Sequence, residues 1–262
     1  MGFNVTSRTP NHRFVATTWE EYLVNVHTVW NLLDRVMQVN CRHAVCPMSP
    51  YGYMRPVQLD AYGRAMWQRR NEYPLTYCET GVNGGHGTAA MLLAHQRLTV
   101  HSFDWAGYGY SEPVFTMLQL YFGERVAFHR GDSRKPLPAF FNLTRTSTTS
   151  GNVWEGQQCD VMLVDGDHRL SGASRDLAAF RAIAACNGTL FVDDLNEGPG
   201  EALRKAVVHG WIAIDEWHTY RKGDAANNPC LRGTKGGLRC PGVNGWGWAR
   251  ARMVGARACG EE

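Results

Sequence analysis

At 262 residues with 44% hydrophobic content, the chain has material for one sizeable α/β domain with short additions, and two full domains would be cramped. Its formal charge is only +3 and its 27 basic residues are scattered, which argues against nucleic acid as a partner. No stretch approaches the roughly 18 apolar residues of a membrane span, and the start lacks an apolar signal core. The expected location is therefore the cytoplasm, with the secretory pathway open if a signal or anchor was removed.

From Thr18 to about Asn40, Trp19, Tyr22, Leu23, Val26, Val29, Trp30, Leu33 and Val36 recur at spacings of three and four, which predicts an amphipathic helix. A Pro/Gly/Tyr-rich segment from Cys46 to Pro56 interrupts it, and a second helical pattern covers about 57–70. Residues 1–72 thus read as a tail and helical cap, ahead of a domain over 73–262. Within that domain, short β-rich runs alternate with helical stretches, the signature of βαβ units around a mostly parallel sheet. Strands are expected near 76–80, 98–104, 125–130, 160–165 and 189–193, with helices near 86–96, 111–122, 172–185 and 199–209. Two more strands near 211–217 and 246–253 complete the sheet. Residues 134–158 and 221–245 read as surface loops.

The segment "TYCETGVNGGHGTAAMLLAH" is a strand, an acidic residue, a glycine-rich turn and a helix. Gly81, Gly84, Gly85 and Gly87 permit close backbone approach, and the helix aims its first amides at whatever covers the turn. There is no G-x-G-x-x-G, so a dinucleotide is disfavoured. Glu79 would repel a pyrophosphate but would suit the ammonium of an aminoacyl group. Further on, "VHSFDW" ends a strand in Asp104, and "FHRGDS" places Asp132 and Ser133 after the next one.

These segments, over roughly residues 76–195, resemble the class I S-adenosylmethionine-dependent methyltransferases. The resemblance implies a Rossmann-like α/β fold: a seven-stranded, mostly parallel sheet with helices on both faces and the N-terminal helical cap. It implies S-adenosylmethionine as cofactor, with Glu79, Gly81 and Gly85 at its methionine part, Asp104 at its ribose and Asp132 with Ser133 near its adenine. Asn83, Trp105 and Asp165 complete the implied cofactor set.

"CDVMLVDGDHRLSG" and "GTLFVDDL" are apolar strands ending in carboxylates, so Asp165, Asp167, Asp193 and Asp194 should gather beside the cofactor crevice. Crowded carboxylates repel one another, and a hard divalent cation such as Mg²⁺ relieves that penalty. The pattern resembles the metal-dependent O-methyltransferases of catechol, caffeoyl-CoA and macrolide-sugar type, which implies Asp165, Asp193 and Asp194 as metal ligands. With Asp165, the His168 of "DGDH" is the implied catalytic pair, the imidazole serving as base. The implied acceptor is a small-molecule hydroxyl on a sugar, polyketide or phenol. Tyr51, Tyr53, Trp105, Tyr108, Tyr110, Trp217 and Tyr220 are candidates for an aromatic acceptor wall. Rival readings are a metal-independent methyltransferase, a non-catalytic cofactor-binding scaffold and an iron-dependent hydroxylase.

Eight cysteines include two close pairs, Cys41/Cys46 and Cys230/Cys240, that an oxidising environment could bridge. Asn4, Asn142 and Asn187 each begin a glycosylation triplet, a pattern that also arises by chance. The first helix leaves a homodimer open.

Overall fold

The structure, a computed structural model, describes residues 14–40, 54–133, 137, 158–220 and 246–256. Cys41/Cys46, Cys230/Cys240, Tyr51, Tyr53, Asn4, Asn142 and almost all of the two expected loops lie outside these residues.

The first helix, α1, spans Trp19–Asn40 and buries Tyr22, Val26, Val29, Leu33 and Met37, a stripe at helical spacing. Its start is fixed locally: Thr18 Oγ1 accepts the Glu21 amide at 3.1 Å, while Glu21 Oε2 accepts the Thr17 and Thr18 amides. Reciprocal capping of this kind satisfies amides that the first turn leaves without partners. The second helix, α2, runs through three contiguous stretches, Pro56–Gln58, Leu59–Gly63 and Arg64–Gln68, the middle one of π type.

The sheet follows. Strand β1 (Leu75–Thr80) leads to α3 (His86–Ala94), β2 (Leu98–Asp104) to α4 (Ser111–Phe122), and then comes β3 (Val126–Arg130). Strand β4 (Cys159–Val164) leads to α5 (Leu170–Ile183), β5 (Ala184–Val192) to α6 (Gly198–Val208), and β6 (Ile212–Tyr220) with β7 (Trp246–Met253) ends the fold. Strand order is β3-β2-β1-β4-β5-β7-β6, with β7 antiparallel to both neighbours and the remaining pairs parallel. This is the seven-stranded, mostly parallel Rossmann-like sheet the sequence predicts. The expected helix end at 185 and strand start at 189 shift, because β5 begins at Ala184 directly after α5.

Side-chain alternation divides the core into two layers. Leu75, Tyr77, Val100, Val161, Leu163 and Phe191 pack under α1–α4, whereas Cys78, Met162, Val164, Leu190 and Val192 pack under α5 and α6. The N-terminal helices therefore share a core with the sheet.

One cross-link was not anticipated. Cys78 of β1 and Cys159 of β4 form a disulfide with a Cα–Cα distance of 5.8 Å, both side chains fully buried, across 81 residues of chain. Replacing both with Ala should lower stability by about 2–4 kcal/mol, because the unfolded chain regains the entropy of an open loop. Urea denaturation of the oxidised protein against the double variant checks this, and an equal midpoint would show the bond to be energetically idle.

Candidate active site

The carboxyl ends of the central strands open onto a cavity of about 520 Å³. In an open α/β sheet, this is the edge where ligands collect.

The glycine turn forms one wall. Gly81 has φ +85°, and a Cβ there would lie 2.0 Å from the Asp165 carbonyl oxygen, so the β1 and β4 turns touch through backbone and exclude any side chain. Gly81 and Asn83 line the cavity. Gly85 does not: it is the left-handed N-cap of α3, packed against Val114 and Leu118 of α4.

Glu79 also stays outside the cavity. It lies on the same face of β1 as Leu75 and Tyr77, so its carboxylate points under α3 and is almost wholly buried. Oε1 accepts the hydroxyls of Thr88 and Ser102, and Oε2 accepts the Tyr77 hydroxyl at 2.9 Å. Burial raises its pKa, while these three donors oppose the rise. Glu79 thus ties β1, β2 and α3 together behind the turn, and strand alternation explains why its carboxylate does not face a ligand.

Asp104 is both a wall and a clasp. Its Oδ2 accepts the Val82 and Asn83 amides at 2.7 and 3.1 Å, and Oδ1 accepts the Ala106 amide at 2.7 Å, joining the turns after β1 and β2. Trp105, 63% exposed, and Tyr108 stand at the cavity edge with their rings edge to face. Asp132 and Ser133, after the neighbouring strand β3, also line the cavity. Of the other expected aromatics, Tyr110 is buried and donates to Asn83, Trp217 lies beneath Arg204, and Tyr220 stacks on Trp246, so none of these three lines the cavity.

The acidic end gathers Asp165, Asp193, Asp194, Glu197 and His168. Burial first, then Asp193 and Asp194, pushes the Asp165 carboxyl well above the usual range. Burial and Asp194 push Asp193 up to about 7, opposed by the Arg55 charge. Both oxygens of Asp193 are engaged, Oδ2 by the Gln58 side-chain amide and Oδ1 by the Asp194 backbone amide at 2.9 Å. One ligand atom each from Asp165, His168 and Asp194 lies within 4.8 Å of the others. The convergent trio therefore contains His168 where the sequence reading has Asp193, because Gln58 draws the Asp193 carboxylate toward α2.

His168 stands between two carboxylates, Nδ1 3.1 Å from Glu197 Oε2 and Nε2 3.2 Å from Asp194 Oδ2. A neutral imidazole has one N–H and can donate to only one of them. Asp167 turns aside to Arg169, whose guanidinium holds its carboxyl below the ordinary value. Arg55, Gln58 and Glu197 were not singled out in the sequence; Arg55 and Gln58 precede the sheet by a whole helix, and only tertiary packing brings them here. Arg55 stacks its guanidinium 3.8 Å over the Trp246 ring at the same end.

Beneath the floor, Asp176 of α5 accepts the Ser133 hydroxyl at 2.8 Å through Oδ1, while its buried Oδ2 faces the Thr80 hydroxyl without a well-formed hydrogen bond among the described residues. A Cβ on Gly166 would touch both atoms.

Residues 78–195 match a family model described as a methyltransferase domain. No curated protein matches the chain in sequence. Among solved structures, an O-methyltransferase from Bacillus cereus in complex with SAH aligns at 13% identity and TM-score 0.54, covering 85% of this chain and 90% of that one. The O-methyltransferase TomG from Streptomyces achromogenes, in complex with SAM, aligns at 13% identity and TM-score 0.57, covering 91% and 100%. At such identity the likeness is one of fold.

Burial pushes the Asp176 carboxyl up to about 6, so the folded state holds its proton more tightly than the unfolded chain near 3.8. Its contribution to stability is full below about pH 4 and is lost as pH rises through 6, a change on the order of 3 kcal/mol. Asp176→Asn keeps an acceptor for Ser133 and offers Thr80 a donor; it should raise the melting temperature at pH 8 and leave it nearly unchanged at pH 4. Calorimetric scans at the two pH values decide it, and equal shifts at both would refute the assignment.

Proposed function

We propose that this chain, whose residues 78–195 match a family model described as a methyltransferase domain, is an S-adenosylmethionine-dependent O-methyltransferase acting on a small-molecule hydroxyl of a sugar, polyketide or phenol. The observation that carries the reading is the pairing of a glycine turn with a cluster of carboxylates across one cavity. The acidic lining of Asp104, Asp132, Asp165, Asp193, Asp194 and Glu197 suits a cationic sulfonium donor and disfavours a pyrophosphate. Gly81, Asn83, Asp104, Trp105, Asp132 and Ser133 are assigned to the cofactor. Glu79 and Gly85 act behind them, shaping the turn.

The raised proton affinities of Asp165 and Asp193 fit a divalent cation, since carboxylates crowded in a partly buried corner need positive charge beside them. Asp165 and Asp194 would hold Mg²⁺, with Asp193 adding a further acidic oxygen or bracing the pair from Gln58. When bound, S-adenosylmethionine supplies an electrophilic methyl, and the cation supplies Lewis acidity that makes an acceptor hydroxyl easier to deprotonate. In the tautomer whose Nδ1 hydrogen Glu197 accepts, the Nε2 lone pair of His168 would take the acceptor proton, with Asp194 beside it to stabilise the imidazolium that forms. The fixed turns after β1, β2 and β4 then hold donor and acceptor in one orientation, and alignment itself lowers the barrier.

Arg55 favours a second reading, a metal-independent enzyme, because a guanidinium near Asp165 and Asp193 already supplies part of the counter-charge. EDTA separates the two. Turnover should fall on chelation and return with Mg²⁺, and unchanged turnover would leave Arg55 as the counter-ion. S-adenosylhomocysteine should raise the melting temperature of the full chain while NAD should not, by preferential binding to the folded state; an indifferent melt would sink the cofactor assignment. His168→Gln should slow turnover by about 10²–10⁴-fold with cofactor affinity preserved, as expected for loss of a general base. A scaffold protein would show no turnover to lose.

A further inference from the structure

We infer that Asn187 is an N-glycosylation site and that the chain matures in an oxidising compartment that adds asparagine-linked glycans. Asn187-Gly188-Thr189 is an acceptor triplet with a small, unbranched middle residue. The fold presents it. Between the β4–β5 partners Cys159↔Ala184 and Val161↔Thr189, β4 advances two residues while β5 advances five, so residues 185–188 bulge out of that ladder. Asn187 sits on this bulge, exposed, with φ 58°, a left-handed conformation that asparagine tolerates better than most residues. Among the described residues its side-chain amide makes one long contact, with the Cys186 sulfur at 3.7 Å.

The bulge lies toward the amino-terminal end of β5, whereas the cavity takes Asp193 and Asp194 from just past its carboxyl end. At about 3.3 Å per strand residue, the six residues from Asn187 to Asp193 span roughly 20 Å, which keeps a glycan at the bulge clear of the cavity.

A second line of evidence is chemical. All three described cysteines, Cys78, Cys159 and Cys186, are in disulfides, and the Cys78–Cys159 pair is sealed within the sheet. Disulfides form and persist in oxidising compartments and are rare where thiols are kept reduced, so a buried structural bond of this kind points to an oxidising one. The secretory pathway supplies both reactions. Each disulfide forms as two thiols pass two electrons and two protons to a disulfide-bearing oxidant. For glycosylation, a bond forms between Asn187 Nδ2 and the anomeric carbon of a lipid-linked oligosaccharide, the anomeric bond to its pyrophosphate breaks, and Nδ2 loses one proton.

The test is to send the full chain through the secretory pathway of a eukaryotic cell and map it by mass spectrometry after glycosidase treatment in heavy-oxygen water. Asn187 should appear as heavy-oxygen-labelled aspartate in most molecules. Asn187→Asp, which keeps the left-handed turn, and Thr189→Val, which keeps the strand, should each lose that glycan and melt with the deglycosylated wild type. Cys78 and Cys159 should resist alkylation in the denatured, unreduced protein. An unmodified Asn187 in the secreted, folded chain, alkylated Cys78 and Cys159, or a chain that folds only in a reducing cytosol would each overturn the inference.

Discussion

Repulsion among Asp165, Asp193 and Asp194 organises the acidic corner. Strands β4 and β5 are parallel neighbours, so residues just past their carboxyl ends meet whatever their charge. Burial removes water that would screen them, and the proton affinities of Asp165 and Asp193 rise in consequence. The surrounding polar contacts offset part of it: Gln58 and a backbone amide on Asp193, Arg55 nearby, and His168 against Asp194. A corner built this way has high affinity for positive charge, whether a metal ion or a proton.

The glycine-turn end follows another rule, in which backbone turns are drawn together and braced by carboxylates. Gly81 brings two turns into contact, Asp104 gathers three amides, and Glu79 gathers three hydroxyls. Turns fastened by so many hydrogen bonds favour a preorganised site. The N-terminal helices belong to the same design, since α1 and α2 cover one sheet face while Arg55 and Gln58 reach the acidic end.

Much of this was legible in the order of residues. A helix stripe such as Tyr22, Val26, Val29 and Leu33, a glycine turn after a strand, and aspartates ending apolar runs are local signals with a fixed period or position. They were enough for the fold class, the strand sequence and most cavity residues: Gly81, Asn83, Asp104, Trp105, Asp132, Ser133, Asp165, His168, Asp193 and Asp194 all line one space. Glu79 could have been placed behind the turn by counting strand parity from Leu75 and Tyr77.

Which carboxylate oxygens remain open was beyond local pattern. Gln58 occupies Asp193, Glu197 flanks His168, and Cys78 meets Cys159 across 81 residues, and each pairing depends on where distant segments dock. Sequence by itself determined periodicity and strand ends, because those depend on neighbours along the chain. Tertiary structure decided partners, since a hydrogen bond or disulfide forms between atoms that are close in space, whatever their separation in sequence.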